Sequence, residues 1–465
     1  MEFLKTSTQF SHLGYPLIVF YLVALVGFVL VIFRQHWALL FSLFCLASLN
    51  FHAAVFTRTL FFGPYLNLND LLLWIALFAM LGECLRTRKR IWAPKILLAI
   101  FVLIIIGDLQ SIIKYGFIEN VLRRIWSTAI FPIMFLIAAN VVYNTKRARL
   151  FYWALFSGVT IAAVSHMIYV YSIIDYQANI LYSQIRTISY SINCGAPILI
   201  GSIFVLLNLK LCHWKKSLYY IGLSLIGLSL VLNFSRGLWF TSALAFISLP
   251  FLIREQKSIS RVPIKLGLLV GGTAIIVSLF FPNLHIGGMM FERVQSVRSE
   301  EGFLKAYKSR SEGANTEMDI WWDGSLILGA GSSLPYQVIR RSEYEELGAL
   351  GHVAYSTYLA HYGLVGLIIY LILLNFLTIW VGRNYYFKHF NDYADGIAVI
   401  GITCAVINLT GFFSSVHYLG STTHIVGLLY GAVWGLQRAR ILKVNRHSTY
   451  EITKSVSNFT REYDD

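Results

Sequence analysis

A few arginines and one histidine stand where a strongly apolar chain has most reason to avoid them. Arg236 lies in Asn233-Phe-Ser-Arg-Gly237, between two apolar runs with almost no polar linker. Arg310 closes Tyr307-Lys-Ser-Arg310, and Arg123, Arg124, Arg186 and Arg293 fall in other connections on the same expected side. An ionisable group at a membrane boundary is costly, so each is a functional candidate by default. The alternative is an arginine that snorkels to the headgroups, and it suits Arg123 and Arg124 best, because an interfacial helix would carry them. A guanidinium grips phosphate well, since its planar fork donates two parallel charge-assisted hydrogen bonds. His352 opens an apolar run in Gly351-His-Val-Ala-Tyr355. A histidine there can cap a helix, or take a proton from a hydroxyl as general base. His361 follows nine residues later; nine helical residues turn through about 900°, which puts the two imidazoles on opposite faces. A metal pair is therefore not expected, and His361 reads as a packed polar group between helices.

Nothing else in the sequence asks for a metal or a cofactor, and none is expected. The outward connections show no HExxH, no paired carboxylates at DxD spacing and no Cys/His cluster. The five cysteines (Cys45, Cys84, Cys194, Cys212, Cys404) form no CxxC pair and read as small buried hydrophobes. Glu292, Glu312, Glu317 and Asp319 read mainly as solvated faces or partners of nearby basic residues, with hydrogen bonding to an acceptor sugar as the other option.

The elements that must position these residues are membrane helices. Of 465 residues, 57% are hydrophobic and only 13% charged, against about 25% charged in soluble domains. The apolar residues come in runs of roughly 17–25, long enough for a hydrocarbon core of about 30 Å. Among them are Tyr15–Phe33, Trp37–Phe56, Leu150–Ile174, Ser217–Asn233, Gly237–Ile253, Ile264–Phe281 and Tyr355–Val381. The first is too long for a signal-peptide core and reads as a span. Basic residues mark alternate connections: Arg34, Arg86 to Arg90, Lys146 to Arg149, Lys210 to Lys216, Arg254 to Lys265, Arg383 to Lys388 and Arg438 to Arg446. The positive-inside rule places these in the cytoplasm. Their scatter over short loops also argues against a nucleic-acid partner.

The expected fold is thus an all-α polytopic membrane protein of about 12–13 transmembrane helices with one long, partly helical outer loop. Within Pro94–Tyr143 the sequence leaves two readings of Asp108–Arg124 open, a loop or an interfacial helix. The division is 1–281, about ten N-terminal spans; 282–352, the outer loop or cap; 353–436, about three C-terminal spans; and 437–465, a polar cytoplasmic tail. The outer loop, Pro282–Gly351, carries Gly329-Ala-Gly331 and the aromatics Trp321, Trp322 and Tyr336. A loop of that length is usually functional or disordered.

These residues together resemble a known family. His352 with Gly363 and Gly366 after it looks like the histidine–glycine signature of the O-antigen ligase and polymerase superfamily. Ser235-Arg236-Gly237 is similar to that family's arginine between membrane helices. Phe291-Glu-Arg293, Arg310 and Gly329-Ala-Gly331 resemble its long periplasmic loop. The resemblance is specific over about 225–375 and architectural elsewhere. Two positions depart from the pattern: Val353 stands where the family often has a polar amide, and the aromatic expected soon after the loop arginine is displaced to Trp321-Trp322.

The resemblance implies a metal-independent, inverting glycosyltransferase in the bacterial inner membrane, with its active site facing the periplasm. It would move a glycan from a polyprenyl (undecaprenyl) pyrophosphate carrier to an acceptor sugar on lipid A–core. His352 would be the general base, Arg236 and Arg310 would hold the pyrophosphate, and Arg123, Arg124, Arg186 and Arg293 are secondary candidates for that role. Polymerase action, with a second carrier-linked repeat as acceptor, is the nearest alternative. A transporter or flippase of lipid-linked glycan is the alternative from another class; it predicts inverted repeats and broken helices near the midplane. The expected partners are the carrier-linked glycan, the acceptor and membrane lipids.

Overall fold

The computed structural model describes residues 15–49, 68–116, 119–174, 195–208, 213–232, 236–253, 267, 271–272, 314–331, 354–386, 393–410 and 423–441. Among these residues the regular structure is helical, and extended pairing is confined to an isolated bridge between Ser325 and Gly329. In chain order the helices are α1 (Tyr15–Phe33), α2 (Gln35–Leu49), α3 (Leu68–Thr87), α4 (Lys95–Tyr115), α5 (Glu119–Val141), α6 (Thr145–Ile174) and α7 (Gly195–Asn208). Then follow α8 (His213–Leu232), α9 (Arg236–Leu252), α10 (314–323), α11 (Ala354–Gly366), a π-helical segment (Leu367–Leu373), α12 (Leu374–Tyr386), α13 (Tyr393–Leu409) and α14 (423–441).

Among the described residues, Leu68–Thr87, Lys95–Lys114, Thr145–Ile168 and Tyr355–Tyr385 are long and apolar enough to cross a membrane, and six more helices are apolar but shorter. The chain is an all-α membrane protein. The expected span Ile264–Phe281, most of the 282–352 loop and the tail beyond 441 lie outside the described residues. The stretch left open between loop and helix resolves into two helices, α4 and α5, so Asp108 sits inside α4 and is buried.

Local chemistry sets the helix ends. Asn144 caps α6 by accepting the Arg147 N–H on Oδ1 at 2.8 Å. Gly116 stops α4 with φ 78°, its N–H returning to the Ile112 carbonyl at 2.8 Å.

Side-chain contacts show which helix ends lie together. Gly396 and Ile400 of α13 meet Val205 and Gly201 of α7, so these two helices run antiparallel. Gly195, at the start of α7, meets Leu230 near the end of α8. The Trp239 indole N–H reaches the Leu230 carbonyl at 3.0 Å, which keeps the start of α9 at that end. The Tyr355 hydroxyl donates to the Leu409 carbonyl at 2.6 Å and ties the start of α11 to the end of α13. One end of the bundle therefore collects the starts of α7, α9 and α11 and the ends of α8 and α13.

The opposite end is basic. There Arg147 bonds Glu83, whose carboxylate also accepts the Tyr143 hydroxyl at 3.4 Å. Lys89 lies 3.6 Å from the Tyr143 ring centroid and Arg438 lies 4.9 Å from that of Trp92.

Small residues let α14 lie directly on α5. Added side-chain carbons at Gly427, Gly431 and Gly435 would meet the carbonyls of Phe131, Phe135 and Val142 at 2.7, 2.2 and 2.6 Å. With lipid on all sides, such backbone-to-backbone packing is what holds helices together. A polar triad reinforces the same region: the Tyr430 hydroxyl donates to Asn375 Oδ1, and Asn408 Nδ2 donates to the Tyr430 oxygen at 2.7 Å. Gly431→Leu is expected to cost about 3 kcal/mol or more by overpacking, seen as a lower unfolding temperature in detergent and loss of the monodisperse peak. An unchanged unfolding temperature would contradict this close approach.

Candidate functional site

The site grows from a glycine that breaks a membrane helix. At Gly363 α11 leaves helical geometry (φ 64°, ψ −161°). In an unbroken helix the N–H groups of Leu364 and Val365 would bond the carbonyls of Ala360 and His361. Here all four groups turn outward to the loop after α10. Ala330 N–H donates to the Ala360 carbonyl at 2.8 Å and Gly331 N–H to that of His361 at 3.1 Å. In return the Leu326 carbonyl accepts from Leu364 N–H at 3.0 Å and the Ile327 carbonyl from Val365 N–H at 3.2 Å. Irregular backbone in a membrane span survives only where its polar groups are satisfied, and residues 326–331 satisfy these.

Steric contact explains why glycine stands at the junction. A side-chain carbon on Gly363 would meet the Ile327 carbonyl oxygen at 2.3 Å, and one on Gly329 would meet Gly363 N at 2.6 Å. Gly329 also has φ 75°, in the left-handed region that favours glycine. Gly331 backs onto α4, where a side-chain carbon would approach Ser111 Oγ at 2.5 Å. The Gly-Ala-Gly of the loop and the glycine after the histidine, separate in sequence, are two halves of one interlock.

Polar side chains brace the interlock. His361 is buried, and its Nδ1 lies 3.0 Å from the Gly331 carbonyl. A carbonyl can only accept, so Nδ1 carries the proton. His361 was expected between helices; the structure buries it against the loop carbonyl of Gly331 instead. Glu317 of α10 corrects the expectation of a solvated carboxylate. It is 2% exposed, accepts the Thr357 hydroxyl at 2.9 Å and also accepts that of Ser356. Both hydroxyls lie in the first turn of α11, whose dipole favours a negative charge there. Two long-range hydrogen bonds thus overrode what a polar loop composition suggests. Asp319, by contrast, is exposed. Glu317→Leu is expected to cost about 1–3 kcal/mol by removing the carboxylate that the buried Ser356 hydroxyl and the half-buried Thr357 hydroxyl bond, with Glu317→Gln recovering part of it; thermal unfolding in detergent measures both.

The arginines fall around this assembly as follows. Arg236 is the first residue of α9, at the bundle end that also holds the start of α11. Arg123 and Arg124 lie in the second turn of α5, which follows α4 just beyond the Ser111 that backs Gly331. Glu292, Glu312, Arg186, Arg293, Arg310 and His352 lie outside the described residues. In sequence His352 stands two residues before α11 and four before Ser356. Among the described residues, no three His, Cys, Asp or Glu side chains gather into a set that could hold a metal ion.

No protein-family model matches the chain, and no curated protein matches it.

Proposed function

We propose that the chain is a glycosyltransferase of the O-antigen ligase type, seated in a bacterial inner membrane with the interlocked end facing the periplasm. The observation that carries this reading is the interlock itself. It joins Gly329-Ala-Gly331 to Gly363 at the bundle end where α9 begins with Arg236. The described parts of the features that carry the resemblance, Arg236, Gly329-Ala-Gly331 and Gly363, support this reading by lying toward the same bundle end. The basic opposite end supports the orientation, since an excess of Lys and Arg favours the cytoplasm. On this reading about thirteen spans cross the membrane.

The proposed reaction is a single displacement. The acceptor hydroxyl of lipid A–core attacks the anomeric carbon of the glycan while the bond from that carbon to the pyrophosphate oxygen breaks. The electron pair leaves with polyprenyl pyrophosphate, which gains one negative charge. Arg236 and Arg310 stabilise that growing charge, as fixed donors do where water is scarce, with Arg123, Arg124, Arg186 and Arg293 as secondary contributors. His352 takes the hydroxyl proton. Guanidinium groups drawn to the same pyrophosphate would oppose protonation of the imidazole and keep it ready as a base.

A broken membrane helix is also a feature of transporters. Here the freed groups of α11 are occupied by protein backbone, which leaves them unavailable to an ion or substrate and favours a fixed scaffold. The test is stereochemical. Purified protein in lipid, given a carrier-linked glycan of known anomeric configuration, is expected to release polyprenyl pyrophosphate and form a glycosidic bond of inverted configuration by NMR. A retained configuration would overturn the single displacement.

A further inference from the structure

The loop that plugs the break in α11 also carries apolar side chains that stand exposed among the described residues. Trp322 is 70% exposed and Ile327 62% exposed, with Leu326 and Met318 also exposed. Water is a poor neighbour for such a patch, and exposed apolar patches mark contact with protein or membrane. The backbone bonds decide which. Leu326 and Ile327 are held by their carbonyls to Leu364 and Val365 of the span Tyr355–Tyr385. Leu364 heads an exposed stripe that continues through Ile368, Phe376 and Trp380 down that span. This side of the span is exposed among the described residues, and the exposed side of a membrane helix faces lipid, so the loop patch is continuous with a lipid-facing surface.

The level can be counted. The 31 residues of this span reach about 46 Å at about 1.5 Å per residue, more than the hydrocarbon core of about 30 Å. Arg383 in the last turn of α12 marks the headgroups at the basic end. Counting about 20 residues, or about 30 Å, back from it reaches Leu364. The loop is therefore bonded to the helix at the opposite edge of the core, the level where tryptophans concentrate.

We propose that residues 318–327 form a membrane-surface anchor, with Met318, Trp322, Leu326 and Ile327 inserted at the headgroup–acyl boundary of the leaflet at that end. Asp319 and Asp323, one residue beyond Met318 and Trp322 on the same short helix and both exposed, keep to the aqueous side. The partner is the lipid itself, and this inference stands whatever reaction the protein catalyses. Anchoring α10 at the bilayer surface would hold residues 326–331 in the break of α11.

The test uses the full chain in lipid nanodiscs. A nitroxide is placed singly by Trp322→Cys, Ile327→Cys, Asp323→Cys and Ile368→Cys in a background whose five native cysteines are replaced by alanine. Collision rates with oxygen and with a water-soluble nickel chelate are then read. The expected result is oxygen-dominated relaxation at 322 and 327, close to that at the lipid-facing 368, and a several-fold shift toward the nickel chelate at 323. Nickel-dominated relaxation at 322 and 327 would overturn the proposal in favour of a water-facing cap. Access to neither reagent would overturn it in favour of a covering protein or second copy. A second measurement needs no cysteine replacement: quenching of the native tryptophans by brominated lipid is compared between the unaltered chain and Trp322→Phe. Loss of a lipid-quenched component is expected; loss of an acrylamide-quenched component, or no change, overturns the anchor.

Discussion

The Gly363→Val protein is expected to lose folded yield and glycan transfer together. Three effects act at that position. A β-branched residue at φ 64° carries strain of about 1–3 kcal/mol. The new side chain would start 2.3 Å from the Ile327 carbonyl oxygen, which is backbone and has little room to retreat. If the loop moves away, the groups of Ala360, His361, Leu364 and Val365 lose the partners that bond them, at about 1–3 kcal/mol for each group left unsatisfied. The strain together with all four unsatisfied groups would come to about 5–15 kcal/mol, the whole stability of an ordinary domain. Fluorescence-detected size exclusion and transfer per mole of folded protein separate the consequences. Gly363→Ala, with a smaller side chain but the same forbidden φ, is expected to fall between. A Gly363→Val protein with normal yield and activity would mean that the interlock is dispensable.

The second large effect is chemical. His352→Ala is expected to lower transfer by about 10²–10⁴-fold, the usual contribution of a positioned general base, with little change in yield. Its pH profile should also flatten. In the parent, activity should fall as pH drops through the imidazole titration, since only the neutral ring accepts the acceptor proton. The variant has no such group and should lose that limb. His361→Ala serves as the contrast. Its imidazole is held through Nδ1 by Gly331, so its loss should lower stability without removing the acid limb. Equal activity of the His352→Ala and parent proteins, both fully inserted, would remove His352 from the mechanism.

How much of this was legible in the sequence differs from residue to residue. The helices were, because long apolar runs punctuated by Arg and Lys leave few other folds. The glycines at 329, 331, 363 and 366 were legible as a spacing, yet their purpose was not. Gly329 meets Gly363 across more than thirty residues of chain, and no local pattern encodes which carbonyl a broken helix will surrender to which loop. Glu317 shows the same limit. A glutamate beside Asp319 and Asp323 in a polar loop looks solvated, and only its tertiary bonds to Ser356 and Thr357 reveal it as buried. Gly427, Gly431 and Gly435 went unread in the sequence: small residues four apart suit a close helix contact, but that α5 is the partner belongs to the fold. The reading of Asp108–Arg124 as loop or interfacial helix gave way to α4 and α5, with Asp108 buried inside α4.

The central claim is a transfer of glycan from a lipid pyrophosphate to a sugar hydroxyl, and one measurement addresses it directly. Purified protein in lipid is given a polyprenyl-pyrophosphate glycan and, in separate vessels, lipid A–core or a further portion of the donor, with divalent metal chelated. The account predicts one glycan appearing on lipid A–core with release of polyprenyl pyrophosphate. Chains lengthening on the carrier instead would keep the chemistry and make the second donor the acceptor. Donor that stays chemically intact with cognate substrates, while crossing from one leaflet to the other, would contradict the account and remove the roles assigned to Arg236, Arg310 and His352.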